Sequence, residues 1–248
     1  MISSTSPVSP SARPDRHRMF RIEARQTSSW RRDADVPVLP QTLLLAELMT
    51  LEQSVDLAAL SQLVLSDLGA TIQLLRLAGC ECPNTEERSA RITDCIADLG
   101  WQACMEAIAA QPMLPGAHMP AVAGLWSHSR AVAQYARQIA EGNVGIDPEI
   151  DPEEAYLVGL CHLIGALPDA LGWSRIRSGA VDSTLAGLEL AQAWSLPGCI
   201  AEYFSQLQSS GWTSPWPEVV RAAHRRAEPS STVCPAEAGR QLLLLRAV

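Results

Sequence analysis

The sequence predicts an all-α fold, a multi-helix bundle behind an N-terminal tail. Leu and Ala dominate, while Phe numbers 2 and Tyr 3, so the aromatic residues that strands recruit are scarce. Apolar residues recur at three- and four-residue spacing in one segment after another. No strand–helix alternation and no repeat period is visible, which argues against a Rossmann-type sheet and a solenoid. The 248 residues, 47% hydrophobic, suffice for one large domain or two intimate ones.

Residues 1–33 are rich in Ser, Pro and Arg, show no apolar period and are expected to be disordered. Order is expected to begin at Val36-Pro37-Val38-Leu39-Pro40, where two prolines enforce an extended segment. A helix is predicted over 41–50, with Leu43, Leu44, Leu48 and Leu51 as its buried stripe. The next, over 56–66, has Asp56 as its cap and Leu57, Leu60, Val64 and Leu65 at helical spacing. A third covers 69–79, with Ile72, Leu75 and Ala78 inward. A short helix over 92–98 ends at Gly100, another covers 101–110, and Pro112, Pro115 and Pro120 then make a connector. The longest helix, 121–141, buries Leu125, Val132, Ala136 and Ile139. The helix over 152–165 carries Ala155, Val158, Leu160 and Cys161. Helices over 183–194 and 197–208 meet at Trp194-Ser195-Leu196-Pro197, Pro197 suiting a first turn, and helices over 217–227 and 236–246 complete the chain.

The net charge is −8, unevenly spread. Residues 1–35 hold seven arginines against four acids, so the rest of the chain carries −11. So acidic a body argues against nucleic-acid binding, which needs a basic face to displace counterions. All 19 basic residues are arginine, which reads as GC-rich coding bias of a bacterial kind. The seven cysteines, an odd number mostly within apolar helical patterns, read as free thiols of a reducing cytoplasm; Cys80 and Cys82 form a lone C-x-C with no second pair. No stretch suits a membrane span or a signal peptide, so a cytoplasmic location is expected.

Six segments, in order, resemble the HDOD family, degenerate relatives of the HD superfamily. They are Leu39-Pro40 after Pro37; Ser66-Asp67 through Leu74-Leu75-Arg76-Leu77-Ala78; Arg91-Ile92 through Leu99-Gly100; Leu125-Trp126-Ser127-His128-Ser129; Glu153-Glu154 through Cys161-His162-Leu163-Ile164-Gly165; and Trp194 through Pro197. The resemblance spans residues 36–227 and departs from the family at Asp67-Leu68, where Asp-Pro is common, and at Gly79-Cys80, where Asn-Ser is common. It implies an HDOD domain over 34–229, with an N-terminal helical part over 34–118 and an HD-like part over 119–229, followed by a linker and helix over 230–248.

Active HD enzymes hold a divalent metal with an early His, a His-Asp pair and a later Asp, because imidazole and carboxylate donors let the ion activate water and neutralise phosphate. The resemblance places His128 at the early His, His162 at the His of the pair and Leu163 at its Asp, with Gly165 closing the segment. Leucine has no lone pair, and Asp182, in a polar loop, is the nearest candidate for the later Asp. Two histidines make a poor site, so neither a catalytic nor a metal residue is assigned and no cofactor is expected. Helical spacing from Leu125, Val132 and Val158 puts His128 and His162 inward, as core histidines bonded to backbone or to each other, the competing reading being a residual ligand or metal pocket. Cys161 and His162, adjacent on a helix, cannot form a dyad. Trp126 and Trp194 read as core anchors, while Trp212 and Trp216, around a proline loop, are the candidate partner contacts.

The resulting expectation is a non-enzymatic signal-transduction module that binds a protein partner in a signalling pathway or a small ligand. The competing reading is a phosphohydrolase of nucleotides or cyclic dinucleotides with a rebuilt metal site. A third is a nucleic-acid regulator acting through the Arg-rich tail.

Overall fold

The structure is a computed structural model that describes residues 35–51, 55–81, 90–112, 119–142, 150–173 and 182–227. The tail expected over 1–33 and the helix expected over 236–246 lie outside the described residues. Every regular element among the described residues is a helix, with no β-strand among them.

The first half comprises α1 (Pro40–Thr50), α2 (Leu57–Leu65), α3 (Leu68–Glu81), α4 (Ile92–Leu99) and α5 (Trp101–Ala109). The extended entry is as expected: Leu39 sits at φ −67° and ψ 141°, and Pro40 opens α1, where its missing N–H costs nothing. The expected stripe of α1 is corrected. Leu44, Leu48 and Leu51 are 57%, 51% and 80% exposed, and Leu43 only leans on the core. The buried face is instead Thr42 and Ala46, one turn apart, whose small side chains let α1 lie against α5. In α2, Asp56 caps as expected by accepting from the Ala58 N–H at 2.9 Å, and Leu60 and Val64 are buried, whereas Leu57 is exposed. Gly100 takes φ 80° between α4 and α5, a backbone conformation that favours glycine.

Asp67 ties this half to the second. Its carboxylate is fully buried. Oδ1 accepts from the Gly69 and Ala70 N–H groups at 2.8 and 3.2 Å, capping α3, and Oδ2 accepts from the Leu39 N–H at 2.8 Å. Trp126 Nε1, on α6 (Met119–Gly142), donates to Oδ1 at 2.9 Å. A second link runs through the Arg76 guanidinium, 5.6 Å from the centre of the Trp194 ring, which is 2% exposed.

The second half adds α7 (Pro152–Cys161), a 3-10 turn (Ile164–Ala166), α8 (Leu167–Ala170), α9 (Ser183–Ala193), α10 (Gly198–Leu207) and α11 (Trp216–Ala227). α6 is its axis, packed most extensively on α7 and then on α11. Val132, Ala136 and Ile139 of α6 are buried as expected, as are Ala155, Val158, Leu160 and Cys161 of α7. The helix expected over 152–165 is shorter: it stops at Cys161, and the 3-10 turn folds back onto α9. Gly165 makes that possible, since a Cβ there would collide with the Ser183 carbonyl. Pro197 precedes α10 as its N-cap rather than lying in its first turn, and Ser195 takes φ 51° at the corner.

Replacing Asp67 by Ala orphans buried N–H groups of Leu39 and Trp126 at once, at roughly 1–3 kcal/mol each. Asp67→Ala should therefore cost about 3–5 kcal/mol in urea unfolding; a loss below about 1 kcal/mol would contradict the clamp.

Candidate functional site

His128 lies on α6, three residues after Leu125 and four before Val132, on the face turned to the core, and is 7% exposed. His162 follows α7 as its C-cap and is 4% exposed. Its Nδ1 lies 2.6 Å from the Gly159 carbonyl oxygen. Since a carbonyl only accepts, Nδ1 carries the proton and Nε2 presents its lone pair inward. Gly159 also lets the helices close, because a Cβ there would lie 2.8 Å from Ala133 Cα on α6.

The structure adds a third histidine. His224, on α11, is 5% exposed, and its Nε2 lies 2.8 Å from Nε2 of His162. With the His162 Nε2 bare, His224 Nε2–H is the donor, which leaves its Nδ1 without a hydrogen-bond partner among the described residues. The ring centres are 5.7 Å apart for His128 and His162, 4.7 Å for His128 and His224, and 4.6 Å for His162 and His224. One ligand nitrogen from each lies within 4.8 Å of the others. The expectation that only two histidines meet is thus corrected. His224 was legible as part of an inward face, four residues after Val220 and three before Ala227, but nothing in one sequence ties α11 to α6 and α7.

Burial, and then the proximity of His224 and His128, holds the His162 imidazole well below its usual titration range. Burial, and then His128, pushes His224 down to about 3. Both rings are therefore neutral near pH 7, and among the described residues no carboxylate joins the cluster. Leu163 is 8% exposed beside His162. Asp182 is not part of this three-ring group; it is exposed and caps α9, accepting from the Thr184 N–H at 2.8 Å, and it walls the same cavity as His162. Cys161 is a buried thiol pushed up to about 12 by desolvation, which makes it inert.

A cavity of about 310 Å³ adjoins the cluster, walled by His162, Leu163, Gly165, Asp182, Tyr203 and Trp212 among others. Trp212 is half-buried there, with the Arg221 guanidinium 4.5 Å from its ring centre. Trp216, expected beside it as a partner contact, is corrected: it is buried, and its Nε1 donates to Glu202 at 3.2 Å. The expected core anchors Trp126 and Trp194 are buried.

A family model described as the HDOD domain matches residues 36–171, which includes His128, His162 and Leu163 but ends before the Trp194–Pro197 segment. Two solved structures of the MmoQ response regulator from Methylococcus capsulatus share the fold. One is 21% identical with a TM-score of 0.61, covering 86% of this chain and 99% of that one. The other, fragment 20-298, is 20% identical with a TM-score of 0.60, covering 86% and 89%. No curated protein matches the chain.

An unfolded histidine protonates near pH 6.5, whereas His162 and His224 stay neutral in the fold, so below that pH the unfolded chain binds more protons. In chelator-treated protein, stability should be level above about pH 7. It should fall as the pH drops from about 6.5 toward the folded value, by at most about 1.4 kcal/mol per pH unit for each histidine. Urea titrations between about pH 7 and pH 5 should show a shallower slope for His224→Gln than for wild type; equal slopes would contradict the buried neutral ring.

Proposed function

Because the chain belongs to the HDOD family, we propose that it is a non-enzymatic signal-transduction module that acts by binding a protein partner or a small ligand. The observation that carries this reading is Leu163. At the position where an HD enzyme keeps its metal-binding aspartate stands a buried hydrocarbon, next to imidazoles with no carboxylate among them. A hydrolytic HD site needs oxygen donors to hold its ion against a phosphate and to activate water. The neutral, desolvated rings suit a packed interior better than a general base, whose titration should lie near the working pH.

Two further observations agree. The fold is shared with a protein described as a response regulator, whose role in signalling is the kind proposed here. The leucines exposed on α1, Leu44, Leu45, Leu48 and Leu51, form the type of apolar surface that a protein partner covers. Among the described residues no single helix is long and apolar enough to cross a membrane.

Purified protein incubated with bis(p-nitrophenyl) phosphate or a cyclic dinucleotide, with manganese or iron(II) supplied, should release no product above the buffer rate. Turnover that disappears in His162→Ala would overturn the non-enzymatic reading.

A further inference from the structure

We propose that His128, His162 and His224 bind a divalent d-block cation of the zinc, cobalt or nickel type, and that this ion is a small ligand of the module. The second clause rests on the regulatory reading above; the first stands on geometry.

Three imidazoles converge from α6, the end of α7 and α11, all of them less than a tenth exposed. Three protein ligands with one position left over is an ordinary arrangement for such ions. The donors also choose the class of metal. Neutral ring nitrogen suits zinc and its neighbours in the first row, whereas magnesium and calcium demand oxygen, and this cluster offers none. Leu163 offers no carboxylate beside His162 to shift that preference.

The nitrogens lie near the separations a metal needs. An ion bound at about 2.0–2.1 Å to each nitrogen in a tetrahedral site holds them about 3.3–3.4 Å apart. Here one pair stands at 2.8 Å and all three lie within 4.8 Å, so small ring rotations reach that geometry. His162 is already oriented for it. Metal-bound histidines characteristically donate their other N–H to a carbonyl or carboxylate, and His162 Nδ1 does so to Gly159.

Loading the site exchanges one bond for others without a net change of charge on the protein. The His224 proton moves from Nε2 to Nδ1, the Nε2–H···Nε2 bond breaks, and both Nε2 lone pairs turn to the ion. The Nδ1 that receives the proton has no hydrogen-bond partner among the described residues. His162 also walls the 310 Å³ cavity, so the cluster lies beside an open volume.

The test uses the full chain, stripped with chelator and titrated with Zn²⁺ and Co²⁺. One ion per chain should bind, Co²⁺ should show the intense visible bands of four-coordinate cobalt, and Zn²⁺ should raise Tm. His224→Gln and His128→Gln, checked for folding by circular dichroism, should each weaken Zn²⁺ at least about 100-fold, since loss of an outer partner alone costs up to that much. The C-x-C pair is the competitor to exclude, so Cys80→Ser with Cys82→Ser should leave binding unchanged. Should the histidine variants fail to fold, X-ray absorption of the wild-type zinc complex should show imidazole scattering and no sulfur. Absence of saturable binding, full affinity in a folded His224→Gln, or a sulfur shell would overturn the site while leaving the non-enzymatic reading standing. Phosphodiester turnover by the loaded protein would overturn that reading while leaving the site.

Discussion

The close approach of α6 and α7 at Gly159 is the constraint on which the site depends. With no side chain at 159, the backbone of α7 comes against Ala133 and Ala136 of α6. That contact sets how near His128 on one helix stands to His162 at the end of the other. The same residue supplies the carbonyl that orients His162. One glycine thus joins packing to chemistry: it allows the helices to close, and its oxygen decides which imidazole nitrogen faces inward.

Asp67 acts on the other side of α6. A buried carboxylate is costly unless it is fully hydrogen-bonded, and this one accepts from three backbone N–H groups and the Trp126 indole. Trp126 lies two residues before His128, so the clamp that fastens the first half to α6 also holds the helix that carries the first histidine. The departure at Asp67-Leu68 from the family's common Asp-Pro leaves this role intact, since the capping and clamping atoms belong to the aspartate.

Helical periodicity made most elements legible: Leu60, Ile72, Val132 and Val158 sit where their patterns put them, although Leu57 of α2 does not. Periodicity misled at α1, where every residue from Leu43 to Leu45 is apolar and the buried face is set by the small residues that fit α5. It also ran α7 too far, since the turn at His162–Leu163 depends on the fit of Gly165 under Ser183, a contact between segments that no local pattern contains. The inward placing of His128 and His162 followed from neighbours on their own helices. The arrival of His224 did not, because it depends on how α11 packs across α6. Trp216 was misjudged for the same reason: its proline-flanked position suggests a loop, while the packing of α11 buries its ring and leaves Nε1 to donate to the exposed Glu202 of α10.

The account therefore turns on an interior in which the imidazoles of His162 and His224, neutral and bonded to each other, pack against that of His128. The most direct measurement is the long-range ¹H–¹⁵N spectrum of the histidine rings in metal-free protein near pH 7. The account predicts neutral rings, with His162 protonated at Nδ1 and His224 at Nε2. An imidazolium at either position, or a His162 protonated at Nε2, would contradict it.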